Sequence, residues 1–536
     1  MTRNRLSYWL CLVVALFFAR PVYAYSVWKP GHAWSGSAIH YSINLDSFAA
    51  LTLDAAMTAN QWVWWINYSA SNWRDRTGTT LSFAYDGGTG AGWLDDGIST
   101  VMATSGCSPS AGGCTILAET DDVIPWYTSD IVEFDVRFYQ PPGVIWSVQG
   151  AGGNAQTDFP AAAVHEFGHV LNLAHSAGAA VMNQSQNATI ARFPLDDDYN
   201  GALALYPTAS QPTLYWRKLG SSGWGAETTS SGAGWTRMNP TAAIGAGAAG
   251  ASWVVTGNWG ANKQVYFNRA TLPLSSSSTW TTRTAGSTRL SLRPPAIAAR
   301  KTGSPYWVAA WPVKWNLGTD PCPGASLLVS TDGFLTGTMV DNPSVCTVHE
   351  IGLTFDAASG RFVMLWVARD AGNPAANNDV VMASSSVDGF VWTPPASLGF
   401  RAFDTASIAC GALGTCMVAY PKWDQNDAII VTQGAVVGTT GTVTLQGSTT
   451  YPDRVQRLVT VGASSLAGLS KFIFAEHWST AQNDWSAGVG HLWTSESSNV
   501  PYSSYTWRDV GVSSPHASAL ATGTSFYDDT YIFYVK

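Results

Sequence analysis

The chain has 536 residues, of which only 12% are charged, with 26 Trp, 51 Gly and a formal net charge of −8. The mild negative charge and the lack of a basic patch argue against a nucleic-acid partner. The length exceeds what one hydrophobic core supports, so at least two domains are expected.

Residues 1–24 carry Arg3 and Arg5, an apolar run from Leu6 to Ala19, and a closing Val22-Tyr23-Ala24. This arrangement fits a secretory signal peptide cut after Ala24. The apolar run falls short of the roughly 20 residues that cross a bilayer, and no later stretch replaces it. The expectation is an exported protein, extracellular or periplasmic, with no stable membrane anchor. Beyond the leader remain Cys107, Cys114, Cys322, Cys346, Cys410 and Cys416. An even count in an exported chain suggests disulfides. Several pairings are open, of which bridging between sequence neighbours is the simplest, and the absence of Cys-x-x-Cys argues against a thiolate zinc site.

Residues 25–207 mix strand and helix patterns. Ile39 to Leu45 alternates with period two, as does Ile131 to Phe138. Leu51 to Tyr68 lacks Gly and Pro and suits a helix with Ala56, Ala59, Trp62, Val63 and Ile66 on one side. A second helix is expected over Phe159 to about Leu171. A third is expected from near Leu195 to before Pro207, with Asp196, Asp197 and Asp198 capping its start. This is an α+β domain.

Residues 208–212 read as a linker, and from 213 to 536 the helical signal is gone. Short apolar strands recur about every 54 residues, at Trp253–Val255, Tyr306–Trp311, Phe362–Trp366, Met417–Tyr420, Lys471–Ala475 and Tyr531–Tyr534. Six such units predict an all-β domain of the β-propeller type, six-bladed, with the Trp-rich strands as its core. Ser330-Thr331-Asp332-Gly333-Phe334 and Ser386-Val387-Asp388-Gly389-Phe390-Val391-Trp392 mark two turns. These two turns resemble the Asp box of sialidase-like propellers, one residue short; there the box shapes a turn between blade strands.

The chemistry concentrates at His165-Glu166-Phe167-Gly168-His169-Val170-Leu171-Asn172-Leu173-Ala174-His175. Positions four apart on an α-helix share a face, so His165 and His169 can reach one ion. Glu166 lies beside them, placed to act on a water there but turned from direct ligation. His175 joins only if the chain stops and turns back, which requires a residue tolerant of positive φ. Asn172 occupies that position.

This stretch resembles the metzincin signature His-Glu-x-x-His-x-x-Gly-x-x-His followed by a Met-turn, here Met182. Within it the chain is similar to the matrixins, which share the Ser after the third His (Ser176) and a closing helix like Asp197 to Tyr206. The resemblance implies a catalytic Zn2+ held by His165, His169 and His175, Glu166 as general base, and Met182 as an apolar floor. It also implies a protein or peptide substrate. Asn172 departs from the family's Gly. Residues 139–158 lack the His/Asp-rich segment of many matrixins, so a structural zinc or calcium is not carried over. Gln184 stands where some metzincins place a zinc-binding Tyr, and no cysteine-switch segment follows the predicted leader.

The expected function is therefore a secreted zinc endopeptidase, its propeller binding substrate, a surface, a glycan or another protein. A sialidase-like glycan hydrolase would need an arginine cluster, and arginine is sparse after residue 212. A binding protein with a vestigial site would have little reason to keep Glu166.

Overall fold

The computed structural model of the protein describes residues 26–535 outside 37, 54–56, 78, 80, 110–115, 125–128, 148–155, 177–179, 184–193, 195, 208–213, 231–239, 260–263, 286–290, 292, 314–323, 346, 348–349, 369–379, 403–405, 412–414, 422–428, 438–441, 452–456, 467–468, 479–490, 499–505, 514–516 and 523–528. The expected leader, the linker, Cys114, Cys322, Cys346 and Gln184 lie outside the described residues.

The first unit is built on a five-stranded sheet. In chain order its elements are β1 (Ala38–Ile43), helix α1 (Ala59–Thr77), β2 (Ser82–Gly88), β3 (Thr100–Ser105), β4 (Ala118–Val123), β5 (Glu133–Gln140), α2 (Phe159–Val170) and α3 (Asp196–Leu205). The strands lie in the order β2-β1-β3-β5-β4, and β4 alone runs antiparallel to its neighbour. Trp62, Trp65, Ile66 and Trp73 of α1 pack with Phe159, Val164 and Phe167 of α2 and with Tyr41, Val101, Phe134 and Phe138 of the sheet.

The boundaries of α1 differ from expectation. Leu45–Ala50 forms a 3-10 turn that ends β1 early, and Leu51 is extended at its end. The α-helix starts only at Ala59, because Thr58 and Gln61 form a capping box. The Thr58 amide donates to Gln61 Oε1 at 2.7 Å, and the Gln61 amide to Thr58 Oγ1 at 3.3 Å. Helix α2 begins where expected: Asp158 accepts the Ala161 amide at 2.9 Å, and Pro160 sits in the first turn, where its missing N–H costs nothing.

Among the described residues, the second unit is all-β, with five four-stranded antiparallel sheets and one five-stranded sheet. Their first strands, Thr241–Ala246, Ala296–Ala299, Ile351–Asp356, Ser407–Cys410, Arg457–Leu466 and Ala517–Thr522, neighbour one another in a closed ring. This is a propeller. Its last sheet joins Thr530–Val535 to Leu214–Gly220, so the start of the unit pairs with its end. Each apolar run picked out in the sequence falls in the second strand of a sheet.

Both Asp-box turns connect the third and fourth strands of their sheets. Asp332 Oδ1 accepts the Thr336 amide at 2.8 Å and the Ser330 hydroxyl at 2.8 Å. Asp388 Oδ1 accepts the Phe390 amide at 2.9 Å and the Ser386 hydroxyl at 3.0 Å. Both aspartates are turn formers. Cys410 and Cys416 face each other across an antiparallel strand pair and are bridged, a link between sequence neighbours. Cys107 is also disulfide-bonded. Among the described residues, no helix is long and apolar enough to cross a membrane.

Candidate metal centre

Helix α2 carries His165 and His169 one turn apart, and the helix ends as the sequence requires. Asn172 takes a φ of 63°, its amide donates to His169 O at 2.7 Å, and the Leu173 amide donates to Gly168 O at 3.1 Å. These bonds satisfy carbonyls at the helix end that would otherwise lack partners. The chain then reverses and delivers His175.

One ring nitrogen from each of His165, His169 and His175 lies within 4.8 Å of the others, the group among the described residues suited to hold a metal ion. His169 Nε2 and His175 Nε2 are 3.2 Å apart. Two nitrogens bound tetrahedrally at 2.0–2.1 Å would be separated by about 3.3 Å. His165 Nδ1 and His169 Nδ1 each lie 2.7 Å from a backbone carbonyl, of Val181 and Leu173 respectively. A carbonyl only accepts, so both Nδ1 atoms carry the proton, which leaves both Nε2 atoms as lone-pair donors to an ion. Burial lowers the His165 pKa to about 4, helped by the nearby His175, and holds His169 well below its ordinary value. Burial lowers His175 as well. Three neutral imidazoles with converging lone pairs are a donor set that fits Zn2+.

Glu166 is buried and faces β4, where its Oε2 accepts the Thr120 hydroxyl at 2.7 Å. Burial pushes its pKa up to about 8; the Thr120 bond opposes this and the charge of Glu119 adds to it. A cation at the three histidines would pull it back down.

Beneath the histidines lies the turn at Ala180-Val181-Met182-Asn183. Met182 is buried against α2, and Gly168 is what lets it approach. A Cβ on Gly168 would overlap Met182 Sδ and lie 2.6 Å from Trp73 Cζ2. Asp198, in the first turn of α3, accepts the Val181 amide at 2.7 Å and the Met182 amide at 3.2 Å. Asp197 accepts the Ser176 hydroxyl at 2.6 Å. Asp198, expected as a helix cap, therefore braces the turn beneath the site, and Asp197 holds Ser176 beside it.

The parts that Thr120, Gly168 and Asp198 play at the site are not given by the expected elements alone. The signal for Asp198 was present in three consecutive aspartates, more acid than one helix start uses. The signal for Gly168 was a glycine inside an otherwise strong helix. Thr120 had none, because its role depends on which strand lies beside α2. Most of residues 183–194, which follow the turn at Met182, lie outside the described residues.

Residues 49–207 match the family model described as Matrixin. No curated protein matches the chain. Similar solved structures include AofleA from Arthrobotrys oligospora, 10% identical, covering 56% of this chain and 79% of that one, TM-score 0.39. A mutant Aleuria aurantia lectin in complex with alpha-methyl-L-fucoside is 12% identical, covering 54% and 83%, TM-score 0.35. A Penicillium chrysogenum alpha-L-arabinanase complexed with arabinobiose is 10% identical, covering 62% and 98%, TM-score 0.35. These likenesses carry no statement about what this chain binds. Residues 49–207 are a matrixin domain, which implies a zinc-dependent metalloendopeptidase, and an all-β propeller unit follows it.

Proposed function

We propose that the protein is a secreted zinc endopeptidase in which His165, His169 and His175 hold one catalytic ion and Glu166 is the general base. The observation that carries this reading is the convergence of three imidazoles whose two Nδ1 protons are already committed to backbone carbonyls.

Zinc, when bound, supplies a Lewis acid that polarises a scissile carbonyl and lowers the pKa of water to about 7. The chain supplies the rest. Glu166 accepts a proton from the attacking water and returns it to the leaving amine. Thr120 holds the Glu166 carboxyl in one orientation, and its hydrogen bond favours the ionised form that a base needs. The carbonyls of Val181 and Leu173 fix the tautomer and ring plane of His165 and His169. Met182 contributes an apolar floor and no chemistry.

Export rests on the leader-like residues 1–24 and on disulfides at Cys107 and at Cys410–Cys416, which persist in oxidising compartments. The proposed role of the propeller is to bind the protein substrate or the surface that carries it.

The test is hydrolysis of casein by the purified protein with and without a zinc chelator. Cleavage lost on chelation and restored by added zinc supports the reading; cleavage indifferent to the chelator contradicts it.

A further inference from the structure

The turn that brings His175 back could have been made by glycine, which adopts a φ of 63° without cost. Asn172 does something glycine cannot. Its side chain is fully buried, and its carboxamide makes three hydrogen bonds. Oδ1 accepts the Lys29 amide at 2.7 Å, while Nδ2 donates to Lys29 O at 2.8 Å and to His32 O at 2.7 Å. Two carbonyl acceptors on one side and an N–H donor on the other fix the orientation of the amide.

All three partners belong to one stretch, residues 26–34, which is distant in sequence and lies along the same turn. Val27 forms an antiparallel bridge with Leu173. The Trp28 amide donates to Asn172 O at 3.0 Å, and the Ala174 amide donates to Ser26 O at 2.9 Å. The Ser26 hydroxyl reaches His175 O at 3.1 Å. Further along, Trp34 Nε1 donates to Val170 O at 2.7 Å, satisfying a carbonyl at the end of α2. The Trp28 ring lies 5.4 Å from that of His169. The residues from Val170 to His175, which link the second histidine to the third, are thus held from outside by segment 26–34.

We propose that Asn172 is a positioning residue for the metal site. Its carboxamide latches segment 26–34 onto the turn, and that segment sets where His175 stands. The proposal rests on the reading of the three histidines as metal ligands. Without the latch, the turn keeps its φ and its backbone contacts with the segment but loses the three carboxamide bonds that fix Lys29 and His32, so His175 is held less firmly beside His165 and His169. Truncation of segment 26–34 would act in the same direction.

Asn172→Gly in the full chain tests this, because glycine keeps the turn and deletes the latch. Zinc affinity, measured by competition with a chromophoric chelator, is expected to fall about tenfold or more, the range seen when support of ligands is lost. The visible spectrum of the Co2+-loaded variant is expected to change, since it reports ligand geometry. In the metal-free protein, the Ala174 amide is expected to exchange with solvent faster. Ser26→Ala, which removes one bond and threatens no fold, is expected to shift affinity in the same direction by less. Wild-type zinc affinity, an unchanged Co2+ spectrum and unchanged Ala174 exchange in Asn172→Gly would overturn the positioning role and leave the metal site standing. A wild-type chain that binds no zinc would sink the metal site itself, and faster Ala174 exchange would then support the latch alone.

Discussion

Thr120 on β4 donates its hydroxyl to Glu166 on α2 at 2.7 Å, tying the proposed base to the edge of the sheet. This bond stabilises the carboxylate, so its loss moves the Glu166 pKa further up. Thr120→Val is expected to shift the acidic limb of the kcat/KM profile to higher pH. Activity at neutral pH should fall about tenfold, the scale of one hydrogen bond to a charged group. A pH profile of peptide hydrolysis measures both, and an unshifted acidic limb would contradict the assignment.

Asp198 offers a second point of leverage. It accepts two buried amides, those of Val181 and Met182, and Val181 in turn fixes His165. Asp198→Ala leaves both N–H groups unsatisfied, at a cost of about 2–4 kcal/mol. Zinc affinity should fall about 10- to 100-fold, as for other residues that orient metal ligands. Denaturant unfolding and chelator competition read the two effects separately.

Gly168 is needed for space and not for its backbone freedom. The Cβ in Gly168→Ala would press on Met182 and Trp73. Overpacking of this kind is expected to cost about 1–3 kcal/mol in stability. Thermal unfolding measures it, and a variant as stable as the parent would mean that the turn at Met182 yields easily.

Much of this site was legible in the sequence, for physical reasons. The i, i+4 spacing of His165 and His169 forces a shared helical face, and a third histidine six residues on forces a turn, which Asn172 makes. What was not legible depends on contacts between distant segments: Thr120 beside Glu166, Asp198 beneath Met182, and residues 26–34 against the turn. Gly- and Pro-free sequence runs from Leu51, but α1 starts at Ala59, because the Thr58/Gln61 capping box sets its first turn. In the propeller, the second strands stood out because they are apolar throughout, as in Trp307–Pro312. The first strands, such as Ala296–Ala299, crowd the ring with small side chains and give no such pattern.

Asp122 carries a pH dependence that can be separated from the site. It is buried, and neither carboxylate oxygen has a hydrogen-bond partner among the described residues. Burial raises its pKa to about 8, although Lys29 opposes this. The folded state then holds a proton that the unfolded state has released from near pH 4 upward. Stability is therefore lost as pH rises from about 4 through 8. Asp122→Asn removes that slope. Unfolding of the protease domain in the variant is expected to vary less between pH 5 and 8 than in the parent. Equal slopes would mean that the Asp122 carboxyl is ionised and paired when folded.

If Glu166 is the base beside an ion held by the three histidines, Glu166→Ala, compared with the parent, separates metal binding from hydrolysis. Bound zinc and casein hydrolysis are measured on the same two preparations. One zinc per chain is expected in both proteins, with hydrolysis in the parent and none in Glu166→Ala. Full hydrolysis by Glu166→Ala, or a parent that binds no zinc, would contradict this assignment.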